Sequence, residues 1–338
     1  MKKHTAALAI ILTAVTFITG TAQAKTLKMR ISLDTAPAHI RNKSIEQFVE
    51  KLKARAGDQL DIKIFSSAQL FRDRDVLKAL RQGGIEMGAP GFWHMGGLVP
   101  EAAIPMLPVF YGLTIDQAES VLDGDYSENV NQRIEQKSKV KVLGKWLTLG
   151  LAHTYSVDKP LKEHADLKGM KVRAPGGTPN VVRLKTLGAI PVKVAFSDLP
   201  LALSQGTIDG FISTNESIVS SKLWESGLKY SIQDSQFTGA YIPVVSQSFW
   251  KKLSPDLQKL IVDTWAESIN GMRSATRTAQ DEALTVLKDK GLSIVVPSAE
   301  ASRQMREELM GIQPELVEKM KIDPAIIESV TQKIRAFK

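Results

Sequence analysis

The stretch from Asp166 to Glu216 reads DLKGMKVRAPGG at 166–177 and LGAIPVKVAFSDLPLALSQGTIDGFISTNE at 187–216. Short runs that stop at Gly or Pro predict strands, and apolar spacing after a capping residue predicts helices. The predicted elements are a strand at Lys171–Ala174, a helix from Thr178 or Asn180 to Gly188, a strand at Ile190–Ala195, a helix capped by Ser197 or Asp198 that ends at Gly206, and a strand at Ile208–Ile212. Strands and helices that alternate at this length indicate an α/β domain.

Part of this unit occurs twice in the chain. Residues 79–86 read ALRQGGIE and residues 202–209 read ALSQGTID. Each segment has the pattern of a helix end, a Gln-Gly stop and a strand that begins with Ile and an acid. The two copies lie too far apart for a solenoid repeat. They predict instead two similar α/β lobes in one chain.

The amino terminus has the pattern of an export signal. Lys2 and Lys3 precede an apolar run at 6–18, and Ala22-Gln23-Ala24 is a small-x-small cleavage site. The apolar run is shorter than the ~20 residues that span a bilayer, which disfavours a membrane anchor. We therefore expect a signal peptide at 1–24, cleavage after Ala24, and export to the periplasm.

The composition excludes several classes of protein. The chain has no cysteine, so it has no disulfide framework, thiol nucleophile or Cys-based metal site. The formal net charge is +8, but basic residues alternate with acids, as in Asp73-Arg74-Asp75. Such alternation is typical of solvated helix faces, so we expect no nucleic-acid partner.

Catalytic and cofactor motifs are absent from the sequence. It contains no GxGxxG, GxxxxGK[ST], GxSxG or HExxH. His39, His94, His153 and His164 lack the close spacing of metal ligands, although a metal held by distant residues stays open. We expect no cofactor and no metal site, and an enzyme is the weaker hypothesis.

A glycine- and aromatic-rich loop, Pro90-Gly91-Phe92-Trp93-His94, follows a predicted strand at Ile85–Ala89. Open α/β sheets bind ligands beyond the carboxyl ends of their strands, so the loop is a candidate ligand contact. The alternative is an ordinary surface turn with Trp93 packed beneath it.

A long helix is predicted near the carboxyl terminus. Ser254-Pro255-Asp256 supplies a cap, a first-turn proline and an acid at the positive end of the helix dipole. From there to Lys290 only Gly271 interrupts the pattern. A helix of roughly 36 residues would be about 54 Å long, which is enough to lie across both lobes as a brace.

Several linked motifs resemble one known family. They are FSSAQLFRDRDVLKALRQGGIEMG at 65–88, PEAAIPMLPVFYG at 100–112, DLKGMKVRAPGG at 166–177, VAFSDLPLALSQGTIDG at 194–210 and LSPDLQKLI at 253–261. In this order they resemble the substrate-binding proteins of tripartite ATP-independent periplasmic (TRAP) transporters, of the DctP type. The resemblance covers essentially the whole chain after the predicted leader.

The resemblance implies an α/β fold of two lobes around a cleft, similar to type II periplasmic binding proteins. Crossing strands join the lobes and a long bent helix spans them. Lobe 1 would comprise 25–150 with 239–278, and lobe 2 would comprise 151–238 with 279–338 packed on it. We expect hinge residues near Gly150 and Gly239.

In this family the arginine of the KVRAP-type strand binds the ligand's carboxylate, which assigns that role to Arg173. A guanidinium offers two parallel donors to a carboxylate and keeps its charge when buried. From the residues alone, a structural salt bridge is the alternative interpretation.

Other site residues follow from the resemblance. Asp73 lies where some members place a polar contact, and Phe196 would form an apolar wall. Where many members have DGxEN with a ligand-binding asparagine, Ser213 takes the place of that asparagine and Asn215 lies two residues later.

Three positions differ from the sialic-acid-binding branch of the family. His153 lies where that branch has a second arginine, and Gly91 and His94 replace charged residues. These differences argue against sialic acid itself. Trp93 and His94 would suit a compact, partly apolar or aromatic acid.

The sequence therefore predicts an extracytoplasmic receptor, monomeric and not an enzyme. It would bind a small organic acid, for example a C4-dicarboxylate, between its lobes and deliver it to the membrane subunits of an ion-gradient-driven TRAP permease. The alternatives are a binding protein of an ABC importer or chemosensory system, or a periplasmic enzyme on the same fold.

Overall fold

The computed structural model describes residues 26–337, so the predicted signal peptide lies outside the described residues. The strands are β1 (Leu27–Ser32), β2 (Leu60–Phe65), β3 (Met87–Gly88), β4 (Val140–Val142), β5 (Leu147–Leu151), β6 (His153–Ser156), β7 (Lys171–Ala174), β8 (Ile190–Lys193), β9 (Gly210–Ser213), β10 (Tyr230–Ile232), β11 (Thr238–Tyr241), β12 (Val244–Ser246) and β13 (Ser293–Val295). The helices are α1 (Ile40–Ala56), α2 (Asp73–Arg81), α3 (Ile115–Leu122), α4 (Asp125–Ser138), α5 (Thr178–Thr186), α6 (Leu199–Ser204), α7 (Asn215–Ser220), α8 (Gln247–Trp250), α9 (Pro255–Asp289), α10 (Ala299–Met310), α11 (Gln313–Met320) and α12 (Pro324–Arg335). None of the helices within 26–337 is both long and apolar enough to cross a bilayer.

Two mixed sheets form two lobes, as predicted. The first sheet has the order β2-β1-β3-β12-β4, and the second has the order β13-β10-β6-β9-β7-β8. The chain passes between them in β5 and β11, which pair antiparallel outside both sheets. Gly150 and Gly239, the predicted hinge positions, pair with each other in this ribbon. The boundaries at 150/151 and 238/239 stay predictions.

The repeated octapeptides end their helices in the same way. The N–H of Gly83 donates to the carbonyl of Leu80 at 3.1 Å, and the N–H of Gly206 donates to the carbonyl of Leu203 at 3.0 Å. Both glycines have positive φ, +70° and +64° respectively, a conformation that a residue with a Cβ adopts only with strain. The Gln-Gly stop therefore turns α2 and α6 into the following strands in one geometry.

The acids of the two octapeptides also have the same role. The Glu86 carboxylate accepts from the N–H of Arg30 at 2.8 Å, and the Asp209 carboxylate accepts from the N–H of Lys171 at 2.7 Å. The N–H of each acid donates in return to the carbonyl of that same partner. Each acid thus joins the start of its own strand to the neighbouring parallel strand, and this equivalence supports the predicted duplication.

Helix α9 spans both lobes, as predicted. It begins at Pro255, where the Ser254 hydroxyl accepts from the N–H of Leu257, and it runs for 35 residues. It packs against α1 and β5 and, further along, against α7 of the second lobe. Trp265 lies fully buried on this helix with its ring 5.3 Å from that of Phe48. One continuous helix therefore contacts both lobes.

The carboxyl-terminal helices contact more than the predicted second lobe. Helix α11 contacts α5 of that lobe, but α12 packs on α3 and on the 3₁₀ turns at Pro100–Met106 and Pro108–Phe110. Apolar residues of the tail such as Ile327 and Val330 share one buried cluster with those turns. The irregular, proline-rich segment at 100–110 therefore provides the apolar surface that the tail covers.

Two local patterns in the sequence predict elements that the structure does not have. The pattern at 223–230 predicts a short helix, but the structure has a 3₁₀ turn at Leu223–Ser226 that ends at Gly227 with φ +90°. Strand β10 follows and pairs with β6 and β13. The pattern at 140–149 predicts one strand, but the structure has two, because Gly144 with φ +133° turns the chain between β4 and β5.

The lobes contact each other where α1 begins. The N–H of Ile40, in the first turn of α1, donates to a Glu216 carboxylate oxygen at 2.9 Å. The Nε2 atom of His39 lies 2.9 Å from the Ser217 hydroxyl and 3.5 Å from the other Glu216 oxygen. An acid at a helix amino terminus is favourable, but burial raises the pKa of Glu216 to about 7.

We predict that Glu216→Gln changes the pH dependence of stability. Wild-type Glu216 holds its proton up to about pH 7 in the native state, whereas the unfolded chain releases it near pH 4.5. This group therefore lowers the free energy of unfolding as pH rises from 4.5 to 7, by roughly 3 kcal/mol in total. The glutamine variant should lack this loss in denaturant unfolding at pH 4.5, 6 and 8.

The matched control is Glu50→Gln on the exposed face of α1, which should keep the wild-type pH dependence. A Glu216→Gln curve parallel to wild type across this range would show that Glu216 does not titrate there.

Candidate functional site

A cavity of about 330 Å³ lies between the lobes, and both lobes line it. The first lobe contributes the end of β1 and the loop after β3. The second contributes the ends of β7 and β9 and the loop after β8. These are carboxyl ends of strands, the edge at which open α/β sheets bind ligands. Its lining includes Asp34, Thr35, His39, Asp73, Trp93, His94, Arg173, Lys193, Phe196, Ser213 and Tyr241.

Arg173 is buried beside this cavity without an acidic partner. Its Nε donates to the carbonyl of Val194 at 2.9 Å and its Nη1 to the carbonyl of Ile212 at 3.2 Å. Only 4% of the residue is exposed, and no carboxylate within residues 26–337 forms an ion pair with it. The guanidinium keeps further N–H donors beyond these two bonds.

Burial lowers the pKa of Arg173 to about 10, against the opposing effect of Asp34, Tyr241 and Asp73. The guanidinium is still charged at neutral pH. A desolvated cation of this kind gains most from an anion that enters beside it, because the interaction is weakly screened there. The cavity beside Arg173 therefore favours the binding of a negatively charged group.

A second buried arginine in the first lobe is fully paired. The guanidinium of Arg41 lies between the carboxylates of Asp34 and Asp73, with 3.0 Å from Nη1 to Asp73. It also lies 4.2 Å above the ring centroid of Tyr241. Burial alone would lower the pKa of Arg41, but Tyr241, Asp34 and Asp73 together raise it. Its charge is thus satisfied by the protein.

Asp73 organises the loop that carries Trp93. Its second oxygen accepts from the N–H of Gly91 at 2.9 Å and lies 3.4 Å from Nε2 of His94. Burial would raise the pKa of Asp73, but Arg41 and His94 outweigh it and lower that pKa to about 2. Both oxygens are therefore used inside the protein, and Asp73 joins the start of α2 to the loop at 90–94.

Aromatic side chains form the cavity walls. Trp93 packs with its ring 5.5 Å from that of Tyr241, and the Phe196 ring lies 6.0 Å from the guanidinium carbon of Arg173. Gly91 makes this arrangement possible, since a Cβ there would lie 2.1 Å from the Trp93 ring. The glycine that distinguishes this chain from the sialic-acid branch is thus required by the position of Trp93.

The structure brings six of the eight predicted site residues to the cavity: Asp73, Trp93, His94, Arg173, Phe196 and Ser213. His153 does not line it. Its Nδ1 accepts from the N–H of Ser235 at 3.1 Å, and burial lowers the pKa of His153 to about 4. The imidazole is therefore neutral and holds the chain where it leaves β10.

Asn215 also lies outside the cavity lining. Its side-chain oxygen accepts from the Tyr155 hydroxyl at 2.6 Å, and its amide donates to Gln233 at 2.9 Å. Both ends of the amide are thus bonded within the second lobe. The adjacent Thr214 and Ser217, not predicted from the sequence, line the cavity instead.

The polar residues that follow β1 were not predicted from the sequence. Asp34, Thr35 and His39 line the cavity, and Arg41 lies directly behind them. The preference for carboxyl ends of strands that indicates the loop after β3 applies equally to Asp34-Thr35, which follow β1 after Leu33. Within 26–337 no three acidic or imidazole side chains form a group that could hold a metal ion.

We predict that Arg41→Met destabilises the protein by about 3–5 kcal/mol, because it leaves the buried Asp34 and Asp73 carboxylates without their cation. Urea unfolding of the protein without ligand measures the loss. Arg81→Met, at the exposed end of α2, is the matched control and should change stability by less than about 0.5 kcal/mol. Equal stabilities of the two variants would contradict the assigned role of Arg41.

Comparison with known proteins shows the family. The model of the DctP family, described as bacterial extracellular solute-binding protein, family 7, matches residues 18–319. The sialic acid-binding periplasmic protein SiaP of Vibrio cholerae is 26% identical over 287 residues, which covers 85% of this chain and 87% of that protein. The C4-dicarboxylate-binding periplasmic protein DctP of Rhodobacter capsulatus is 25% identical over 271 residues, which is 80% of each chain.

The fold agrees with a solved structure. The sugar acid binding protein DctPAm from Advenella mimigardefordensis, in complex with galactonate, matches with a TM-score of 0.86 at 22% identity and covers 92% of this chain and 98% of that chain. The resemblance found in the sequence motifs is confirmed. The chain belongs to the bacterial extracellular solute-binding proteins of family 7, the DctP family, which are receptors and not enzymes.

Proposed function

We propose that this protein captures a small organic acid in the periplasm, binds its carboxylate through Arg173, and delivers it to the membrane subunits of a TRAP permease. One observation carries the proposal. Arg173 is buried beside the interlobe cavity with free donors, and no carboxylate within 26–337 forms an ion pair with it. A carboxylate is the group that a planar guanidinium binds best, through two parallel hydrogen bonds.

The relatives support this ligand class. Their names specify sialic acid, C4-dicarboxylates and galactonate, which share a carboxylate and differ in the rest of the molecule. The part of the cavity around Trp93 and Phe196 would therefore contact the remainder of the ligand and discriminate between acids. A cavity of about 330 Å³ is at the small end of the range for ligand sites, which favours an acid of few carbon atoms.

Lobe closure would trap the acid. Both lobes line the cavity, so a ligand bound to Arg173 of the second lobe also meets Trp93 and Asp34 of the first. The Arg72–Asp198 ion pair at 2.9 Å joins the lobes, since these residues directly precede α2 and α6. Movement about the β5–β11 ribbon at Gly150 and Gly239 would open the cleft.

The location and partners complete the proposal. The named relatives are periplasmic proteins, which agrees with cleavage of a leader after Ala24. We assign the membrane partner to a TRAP permease because the motifs at 65–88 and 166–177 resemble receptors of those transporters. The receptor would act as a monomer, since one chain contributes both walls of the cavity.

We predict that an organic-acid library shifts the thermal unfolding of wild type for one class of acids. An acid at 100 times its Kd stabilises the native state by about 2.7 kcal/mol. Arg173→Ala should lose this shift, and titration calorimetry should show at least about 100-fold weaker binding, because a buried charged hydrogen-bond pair is removed. Arg173→Lys should bind between the two, since lysine keeps the charge without the paired donors.

The control is Arg81→Ala, which lies outside the cavity and should bind as wild type does. Equal shifts of wild type and Arg173→Ala would make Arg173 structural. A wild type that no acid in the library stabilises would overturn the proposal of an acid receptor.

A further inference from the structure

Among the buried charges around the cavity, one cation is available to pair with a ligand carboxylate. Of the buried arginines in the described chain, Arg173 lines the cavity, and Arg41, which lies behind the lining, is already shared between Asp34 and Asp73. With both aspartates ionised, the four charges cancel. With Asp34 protonated, one positive charge is left over. In either state a second ligand carboxylate would add a buried negative charge without a buried partner.

Asp34 is the polar group of this cluster that stays available to a ligand. One oxygen binds Arg41, and no hydrogen bond to the other oxygen is found in the described part of the chain. Thr35 is occupied, because its hydroxyl accepts from Arg41 and donates to Asn42. The side chain of Asp34 lines the cavity and is 5% exposed, so its second oxygen can accept only from a group inside the cavity.

The remaining cations of the lining lie at its rim. Arg74 and Lys193 are exposed, and Arg74 already lies 3.7 Å from Asp75. Exposed cations attract a carboxylate only weakly, because water and salt screen the interaction. His94 lies deeper, but its Nε2 is directed at Asp73. The side of the cavity near Asp34 therefore offers acceptors and no free cation.

We propose that the cavity selects monocarboxylates that carry hydroxyl groups, and that Asp34 determines this choice by accepting a ligand hydroxyl and repelling a second carboxylate. The proposal rests on the proposed function, in which Arg173 binds the first carboxylate. Discrimination by an unpaired buried group is strong, because a ligand that cannot pair with it leaves it desolvated. The cavity thus separates hydroxy acids both from dicarboxylates and from plain fatty acids.

The test compares acids that differ at one group. Titration calorimetry on the full mature protein would use threonate with tartrate and gluconate with glucarate, each pair differing only in a terminal CH₂OH or carboxylate. Hexanoate is the acid without hydroxyls. In the pair whose length fits the cavity, the monocarboxylate should bind at least about tenfold more tightly than the dicarboxylate. It should also bind at least about tenfold more tightly than hexanoate.

Asp34→Asn keeps the shape of the side chain and removes its charge. The preference for the monocarboxylate should fall from at least about tenfold to less than about threefold, while Asp58→Asn, at an exposed site of the same lobe, keeps it. If Asp34→Asn does not fold, added KCl tests in wild type whether the second carboxylate lacks a buried partner. Dicarboxylate binding through Arg74 and Lys193 at the rim should weaken more steeply with salt than monocarboxylate binding.

The outcomes separate this inference from the proposed function. Equal affinities within each wild-type pair, or hexanoate binding as tightly as gluconate, would overturn the selection while Arg173 still binds acids. An unchanged preference in folded Asp34→Asn would remove the role of Asp34. Loss of binding of every carboxylate, or binding that ignores Arg173→Ala, would instead be a failure of the proposed function.

Discussion

The burial of Arg173 without an ion-paired carboxylate in the described residues is the constraint on which the site depends. A desolvated guanidinium is unfavourable unless polar groups surround it, and here the carbonyls of Val194 and Ile212 supply part of that environment. Both carbonyls come from segments beside β7, which lies between β8 and β9. The order of the second sheet therefore holds the arginine in place, and its remaining N–H donors are left for a bound group.

Arg41 is a buried arginine whose charge is paired within the protein, in contrast to Arg173. Two carboxylates and the Tyr241 ring surround it, and it does not line the cavity. The contrast divides the cavity into a cationic side in the second lobe and a charge-balanced side in the first. An acid that enters is therefore oriented by electrostatics before any contact with Trp93 or Phe196 refines its position.

Elements whose ends are marked by nearby residues were predictable from the sequence, whereas contacts between residues distant in sequence were not. Helix α9 and strand β7 were predictable because caps, prolines and glycines mark their ends within a few residues. Strand β10 was not predicted because its three residues are too few to show the alternation of apolar and polar side chains that marks a strand. Its pairing with β6 and β13 defines it as a strand. Likewise, Asn215 has a side chain suited to a ligand, but Tyr155 and Gln233 lie far away in sequence and take up its hydrogen bonds.

The repeat shows which of the two equivalent strand ends in the described chain carries a buried arginine. Since Glu86 and Asp209 bind the equivalent residues Arg30 and Lys171, the position two residues further on is Ser32 in the first lobe and Arg173 in the second. The strand registers agree, because Ser32 pairs with Gly88 and Arg173 with Phe211, each two residues beyond the acid. The two lobes thus have equivalent strand ends at the cleft, and the Arg173 guanidinium lies at the strand end of the second lobe. A single anion therefore has one buried partner, and the opposite strand end, which continues to Asp34, is left to recognise the uncharged part of the ligand.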